Sequence, residues 1–189
     1  MERGHWLPLC NYFMATKKLP FTVYIGFDPR EETAYDVCKF SIERTASEPI
    51  RILPIKRPTM ERMGLYYRQF DSKDGRPFST DFSFTRFLVP ALNMYEGWAL
   101  YMDSDMYMRT DIIELFEDYT TQEYSDFYPL FCVQHDYAPK DTHKMDGKLQ
   151  ENYFRKNWSS FVLWNCGHPA HQKLTVDEIN SNSGSWLHK

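Results

Sequence analysis

Asp103-Ser104-Asp105 places two carboxylates one residue apart directly after the apolar run WALYM, inside EGWALYMDSDMYMRTDIIELF at 96–116. With 14 Asp in 189 residues, roughly one Asp-x-Asp pair is expected by chance, so its setting decides its weight. In an extended segment i and i+2 face the same side. Both carboxylates can then converge on one divalent cation, or one can take the metal while the other takes a ligand hydroxyl. Ser104 would face away and be free to vary. Oxygen-only ligation suits Mg²⁺ or Mn²⁺ rather than zinc or copper. The competing reading is that the aspartates solvate a strand end and cap the following turn.

Other residues could join such a site. Asp28 closes the apolar start of VYIGFDPREETAY and can accept a hydrogen bond from a base N–H or a ribose hydroxyl, or start an Asp-Pro turn and cap the next helix. Arg86 lies off the apolar stripe of its segment, where its fork could clamp a phosphate or simply be solvated. His135-Asp136 follows FCVQ at a strand end and lines the acceptor side or a plain loop. Arg155 and Lys156 attract phosphate or form a solvated face. No side chain is assigned as a nucleophile or other catalytic group.

The elements that must position these residues alternate. FTVYIGF reads as a strand and EETAYDVCKFSIERTA as a helix burying Ala34, Val37, Cys38, Ser41 and Ile42. IRILPI is a second strand, followed by a loop-rich stretch with room for one short helix. DFSFTRFLVPALNMY puts Phe84, Phe87, Leu88, Ala91, Leu92 and Tyr95 on one stripe, with Pro90 kinking it or leaving only its second half regular. WALYM, apolar on both faces, reads as a central strand, and TDIIELFED as a helix capped by Thr110 or Asp111. FYPLFCVQH and WSSFVLWN are two more strands. Such alternation predicts an α/β fold with a mostly parallel central sheet flanked by helices, which binds ligands beyond the carboxyl ends of its strands.

Residues 21–189 suffice for one domain with a substantial core, and 1–20 read as an irregular leader. A net charge of -4 and pI near 5.9 provide no field for a nucleic-acid backbone. The scattered Cys10, Cys38, Cys132 and Cys166 form no C-x-x-C pair and fit reduced thiols in a cytoplasmic protein. No stretch approaches the ~20 apolar residues of a membrane span.

YIGFD, SFTRFLVPAL and WALYMDSDMYMRTDIIELF together resemble the nucleotide-sugar-dependent glycosyltransferases of the Rossmann-like GT-A fold, in particular family 8, which includes bacterial lipopolysaccharide galactosyltransferases and glycogenin. The likeness spans roughly residues 21–167. It implies that Asp28 contacts the base of a donor such as a UDP-sugar, Arg86 the donor region, Asp103 ribose and metal, and Asp105 the metal. It also implies sugar transfer to a hydroxyl acceptor such as a glycan, with retention at the anomeric carbon and Mn²⁺ or Mg²⁺ as cofactor. Trp158, Ser159 and Ser160 stand where the family has an Asn-Ala-Gly turn beside the transferred sugar, which makes Ser159 and Ser160 donor-side candidates. The family continues further and carries a late His in its metal shell, so the domain is expected to be C-terminally shortened. His188 either substitutes for that ligand or belongs to a polar tail. A non-catalytic or truncated nucleotide-sugar-binding module is the alternative. A nucleotidyltransferase is disfavoured, because IGFDPREE has one Gly and two Glu where a Gly-rich basic loop would be needed.

Overall fold

The computed structural model describes residues 21–71, 73, 75, 78–135 and 158–188. The leader at 1–20, Asp136, Arg155 and Lys156 lie outside them. Five strands, β1 (Thr22–Phe27), β2 (Arg51–Lys56), β3 (Trp98–Met102), β4 (Leu130–Cys132) and β5 (Phe161–Asn165), form one sheet in the order β2-β1-β3-β5-β4. β1 is parallel to β2 and β3, while β5 is antiparallel to both β3 and β4. Four strands therefore share a direction and β5 opposes them, so the sheet is mostly parallel, as expected.

Alternation along the strands sorts side chains to two faces. Val23, Ile25, Leu100, Met102 and Leu163 pack with Cys38 and Ile42 of α1 (Glu32–Thr45) and with Ile112, Ile113 and Phe116 of α4 (Ile112–Tyr119). Tyr24, Ala99, Tyr101, Val162 and Trp164 pack on the other face with Phe84, Phe87 and Leu88. Because β1, β3 and β5 are covered on both faces, their sequences are almost uninterrupted apolar runs. β2 is an edge strand, where Pro54 interrupts no inner ladder.

α1 is rotated from its expected stripe. Tyr35, Cys38, Ser41 and Ile42 are buried, but Val37 is 48% exposed. The short helix expected after β2 is α2 (Arg57–Arg62). Pro90 leaves only the second half of its segment α-helical: Thr85–Leu88 is a 3₁₀ turn and α3 is Val89–Leu92, with proline in its first turn, where a missing N–H costs nothing. The stripe ends there, because Met94 and Tyr95 take positive φ of 56° and 55°. Asp111, not Thr110, caps α4 by accepting from the Ile113 N–H.

α5 (Gln122–Phe127), α6 (Val176–Ser181) and α7 (Gly184–Leu187) complete the helices among the described residues. The C-terminal elements are held through Asn180. Its Oδ1 accepts from the Tyr67 and Arg68 N–H groups, and its Nδ2 donates to the Leu65 and Val176 carbonyls. The Arg68 guanidinium lies 3.8 Å from the Phe84 ring centroid and donates to the Ile179 and Asn182 carbonyls. Replacing buried Asn180 by Leu strands the Tyr67 and Arg68 N–H groups and the Leu65 carbonyl, so we expect Asn180→Leu to cost about 2–4 kcal/mol in urea denaturation. A loss below about 0.5 kcal/mol would mean that water satisfies those groups without the amide.

Candidate functional site at the strand carboxyl ends

Parallel β1 and β3 bring Asp28 and Asp103 to one rim, and antiparallel β5 returns Ser159 and Ser160 to the same edge through a 3₁₀ turn at Trp158–Ser160. The Asp103 N–H donates to the Ser160 carbonyl at 2.8 Å. The sequence-predicted Asp103, Arg86, Ser159 and Ser160 thus come together.

Buried Arg86 is the hub. Its Nε donates to the Phe82 carbonyl at 3.1 Å, its Nη1 to the Ser159 carbonyl (3.1 Å) and Oγ (3.2 Å), and its Nη2 lies 3.2 Å from Asp103 Oδ1. The guanidinium also sits 5.5 Å and 5.4 Å from the Phe82 and Tyr101 ring centroids. The Tyr101 hydroxyl, which sequence reasoning missed, donates to Asp103 Oδ1 at 2.6 Å. Its signal was a lone polar atom in an otherwise apolar central strand, two residues before the carboxylate. Burial raises the Asp103 pKa, against the opposing pull of Arg86 and the Tyr101 hydroxyl. Burial likewise raises the Tyr101 phenol, which therefore remains a donor.

The Asp-x-Asp segment is not extended. Residues 104–105 form a turn, because the chain leaves the sheet at Met102. Asp103 is consequently half-buried and committed, whereas Asp105 is exposed. Ser104 is 1% exposed, and its hydroxyl finds no hydrogen-bond partner among the described residues. It is not the freely variable position that strand geometry suggested.

Asp28 performs the capping role that the sequence left open. Oδ1 accepts from the Arg30 N–H and Nε, and Oδ2 accepts from Arg30 Nη2 and from the Asp81 N–H. Hydrogen bonding to Arg30 is the main cause that holds its pKa down at about 2. Glu31, also missed, is exposed in the 3₁₀ turn that Asp28 caps, and partial desolvation with the charges of Asp28, Asp105 and Asp103 raises its pKa. Four carboxylates there face the guanidiniums of Arg30 and Arg86.

His188 follows α7 and reaches the site. Its Nδ1 lies 3.0 Å from Ser159 Oγ and its ring packs edge-on against Phe87 at 5.0 Å. Burial first, then Arg86, lowers its pKa to about 3, so the ring is neutral at pH 7. His135 enters through its carbonyl, which accepts from Trp158 Nε1 at 3.2 Å. Burial pushes the Cys38 and Cys166 thiols up to about 12, which removes them as nucleophiles at neutral pH.

Among the described residues, no group of three or more His, Cys, Asp or Glu is gathered to hold a metal ion. Asp103 and Asp105 nevertheless offer the oxygen donors that a hard cation takes, with its remaining positions left to water or ligand. No described helix is long and apolar enough to cross a membrane.

Gly26 controls how Asp103 is held. A Cβ there would lie 2.6 Å from the Tyr101 hydroxyl and 2.7 Å from Phe82 Cγ. We expect Gly26→Ala to cost about 1–3 kcal/mol by overpacking, with partial recovery in Gly26→Ala/Tyr101→Phe, both read from denaturant midpoints. No recovery would assign the strain to Phe82 alone. Asp28 titrates from about 2 in the fold against an ordinary 3.8, so its contribution is complete above pH 4 and is lost as pH falls toward 2. That shift corresponds to about 2 kcal/mol. Asp28→Asn should therefore flatten the acid limb of the stability profile, and an unchanged limb would place the acid sensitivity elsewhere.

No protein-family model matches the chain. Protein CDI of Arabidopsis thaliana is 46% identical over 180 residues, covering 95% of this chain. The chain spans 66% of that relative's length. Among solved structures, the apo bifunctional glycosyltransferase WbbM is similar over 94% of this chain and 36% of its own, with a TM-score of 0.53 at 13% identity. Apo mouse xyloside xylosyltransferase 1 is similar over 85% of this chain and 74% of its own, with a TM-score of 0.48 at 13% identity. The likeness to WbbM is one of fold: this α/β domain has a glycosyltransferase-like architecture.

Proposed function

We propose that the chain is the donor-binding domain of a metal-dependent glycosyltransferase of the family-8 type, moving a sugar from a UDP-sugar to a hydroxyl acceptor with retention. The observation that carries this reading is Asp103, held by Arg86 and Tyr101 at the carboxyl end of the central strand and followed at once by exposed Asp105. Cleaving a sugar–diphosphate bond leaves negative charge on the diphosphate, so the site's task is chiefly electrostatic.

Asp103 and Asp105 would hold Mn²⁺ or Mg²⁺, and the bound cation supplies compensation for the charge growing on the leaving diphosphate. Tyr101 keeps one Asp103 oxygen oriented through its 2.6 Å bond. Arg86 brings a permanent positive charge to the same corner and fixes the Ser159 turn beside it. Ser159 and His188 line the donor side, where His188 is the candidate further ligand. For Asp28 to meet a base or ribose, Arg30 must release part of its fork.

Calorimetry with UDP tests the metal claim. We expect binding with Mn²⁺ present and a strong loss in EDTA, because diphosphate and the carboxylates otherwise repel. Asp105→Asn should abolish the metal dependence, and equal affinity in both buffers would overturn the assignment. Arg86→Ala should weaken UDP binding by about 1.5–3 kcal/mol if the guanidinium makes a charge-assisted bond to the donor. A loss of stability with unchanged affinity would make Arg86 purely structural.

A further inference from the structure

The opposite end of the sheet holds a pocket of about 450 Å³, bounded by Gly97 and Trp98 at the start of β3, Ser125 and Asp126 of α5, Asn165 at the end of β5 and His168 beyond it. Trp98 and Asp103 stand at opposite ends of β3, about 16 Å apart at strand rise. The volume falls within the ordinary range for small-molecule sites.

Several of its polar groups are held by hydrogen bonds of their own. Asn165 is 5% exposed, and its Nδ2 donates to the Ser125 carbonyl at 2.8 Å and the Tyr128 carbonyl at 3.0 Å. With both amide hydrogens committed, Oδ1 is locked in orientation, and it accepts no hydrogen bond from the described residues. His168 Nδ1 accepts from the Ala170 N–H, so a neutral ring carries its proton on Nε2 as a donor. Asp126 Oδ1 accepts from Gln122, which leaves Oδ2 as an acceptor. The Trp98 indole is held by its N–H to Ser125 Oγ at 3.0 Å and by stacking on Phe131 at 5.9 Å. Gly97, at φ +59° with open space at its Cβ position, keeps the mouth clear of side chains.

The structure assigns this pocket, we infer, as a binding site for a neutral saccharide ring, separate from the Asp103 rim. Acceptors and a donor lining one pocket suit hydroxyl groups, which both donate and accept. The Trp98 indole, which stacks on Phe131, supplies aromatic surface to the pocket for the C–H groups of a sugar ring. A purely apolar ligand would leave Asn165 Oδ1 desolvated and unpaired. The assignment does not rest on the transferase reading, since none of these residues touches Asp103, Asp105 or Arg86.

Saturation-transfer NMR on the full chain with D-glucose, D-galactose, D-mannose and D-xylose tests it. We expect transfer to at least one sugar, unchanged by excess UDP with Mn²⁺. Asp126→Ala and His168→Asn should each weaken it by roughly fivefold or more. Both positions lie outside the core, and Asn at 168 retains a capping acceptor, with circular dichroism checking that each variant folds. No transfer from any of the four sugars, displacement by UDP, or transfer undiminished in both folded variants would overturn the assignment.

Discussion

The Arg86–Asp103 ion pair is the constraint around which this rim is organised. Arg86 leaves a 3₁₀ turn, Asp103 follows the central strand, and Ser159 precedes an antiparallel strand, yet the Arg86 guanidinium ties these three segments together. Removing one member of a buried pair of this kind typically costs about 3–5 kcal/mol, because the partner is left charged and unpaired. The remaining geometry follows from satisfying that pair. Phe82 supplies a carbonyl, the rings of Phe82 and Tyr101 border the cation, and Gly26 omits a side chain so that the Tyr101 hydroxyl can approach Asp103.

The fold was largely legible because buried strands and caps are local signals. WALYM and FTVYIGF had the composition of strands covered on both sides, and TDIIELF carried its own cap. Pro90 correctly marked where an α-helix could begin. The exposure of Val37 was not legible, since the helical stripe admits a rotation that only packing against the sheet resolves. The antiparallel sense of β5 was also hidden: strand composition does not encode direction, and the residues connecting β4 to β5 contain no clear crossover pattern.

At the rim, which residues meet was more legible than how they meet. Asp103, Arg86, Ser159 and Ser160 converge, but the step from Asp-x-Asp to two parallel carboxylates assumed an extended segment where the chain turns. That turn separates the roles of Asp103 and Asp105, and it buries Ser104. Asp28 shows the converse: an isolated Asp-Pro favoured a turn and cap over ligand binding, and Arg30 and Asp81, one of them distant in sequence, complete that cap. Tyr101 and Glu31 escaped notice because their importance comes from neighbours across the rim.

Charge at this rim links the free fold to the proposed chemistry. Asp28 is paired with Arg30 and Asp103 with Arg86, which leaves Glu31 and Asp105 without an ion pair among the described residues. An approaching diphosphate therefore meets a locally acidic edge despite two nearby arginines, because both guanidiniums are already engaged. A divalent cation changes that balance at its least encumbered point, Asp105, without first dissolving the Arg86–Asp103 pair. On the proposed reading, cation and diphosphate each make the other's binding favourable, while the buried pair holds the strand end and the Ser159 turn in place. Such an arrangement puts the strongest preorganisation in the scaffold and leaves the exposed carboxylate free to respond to ligand.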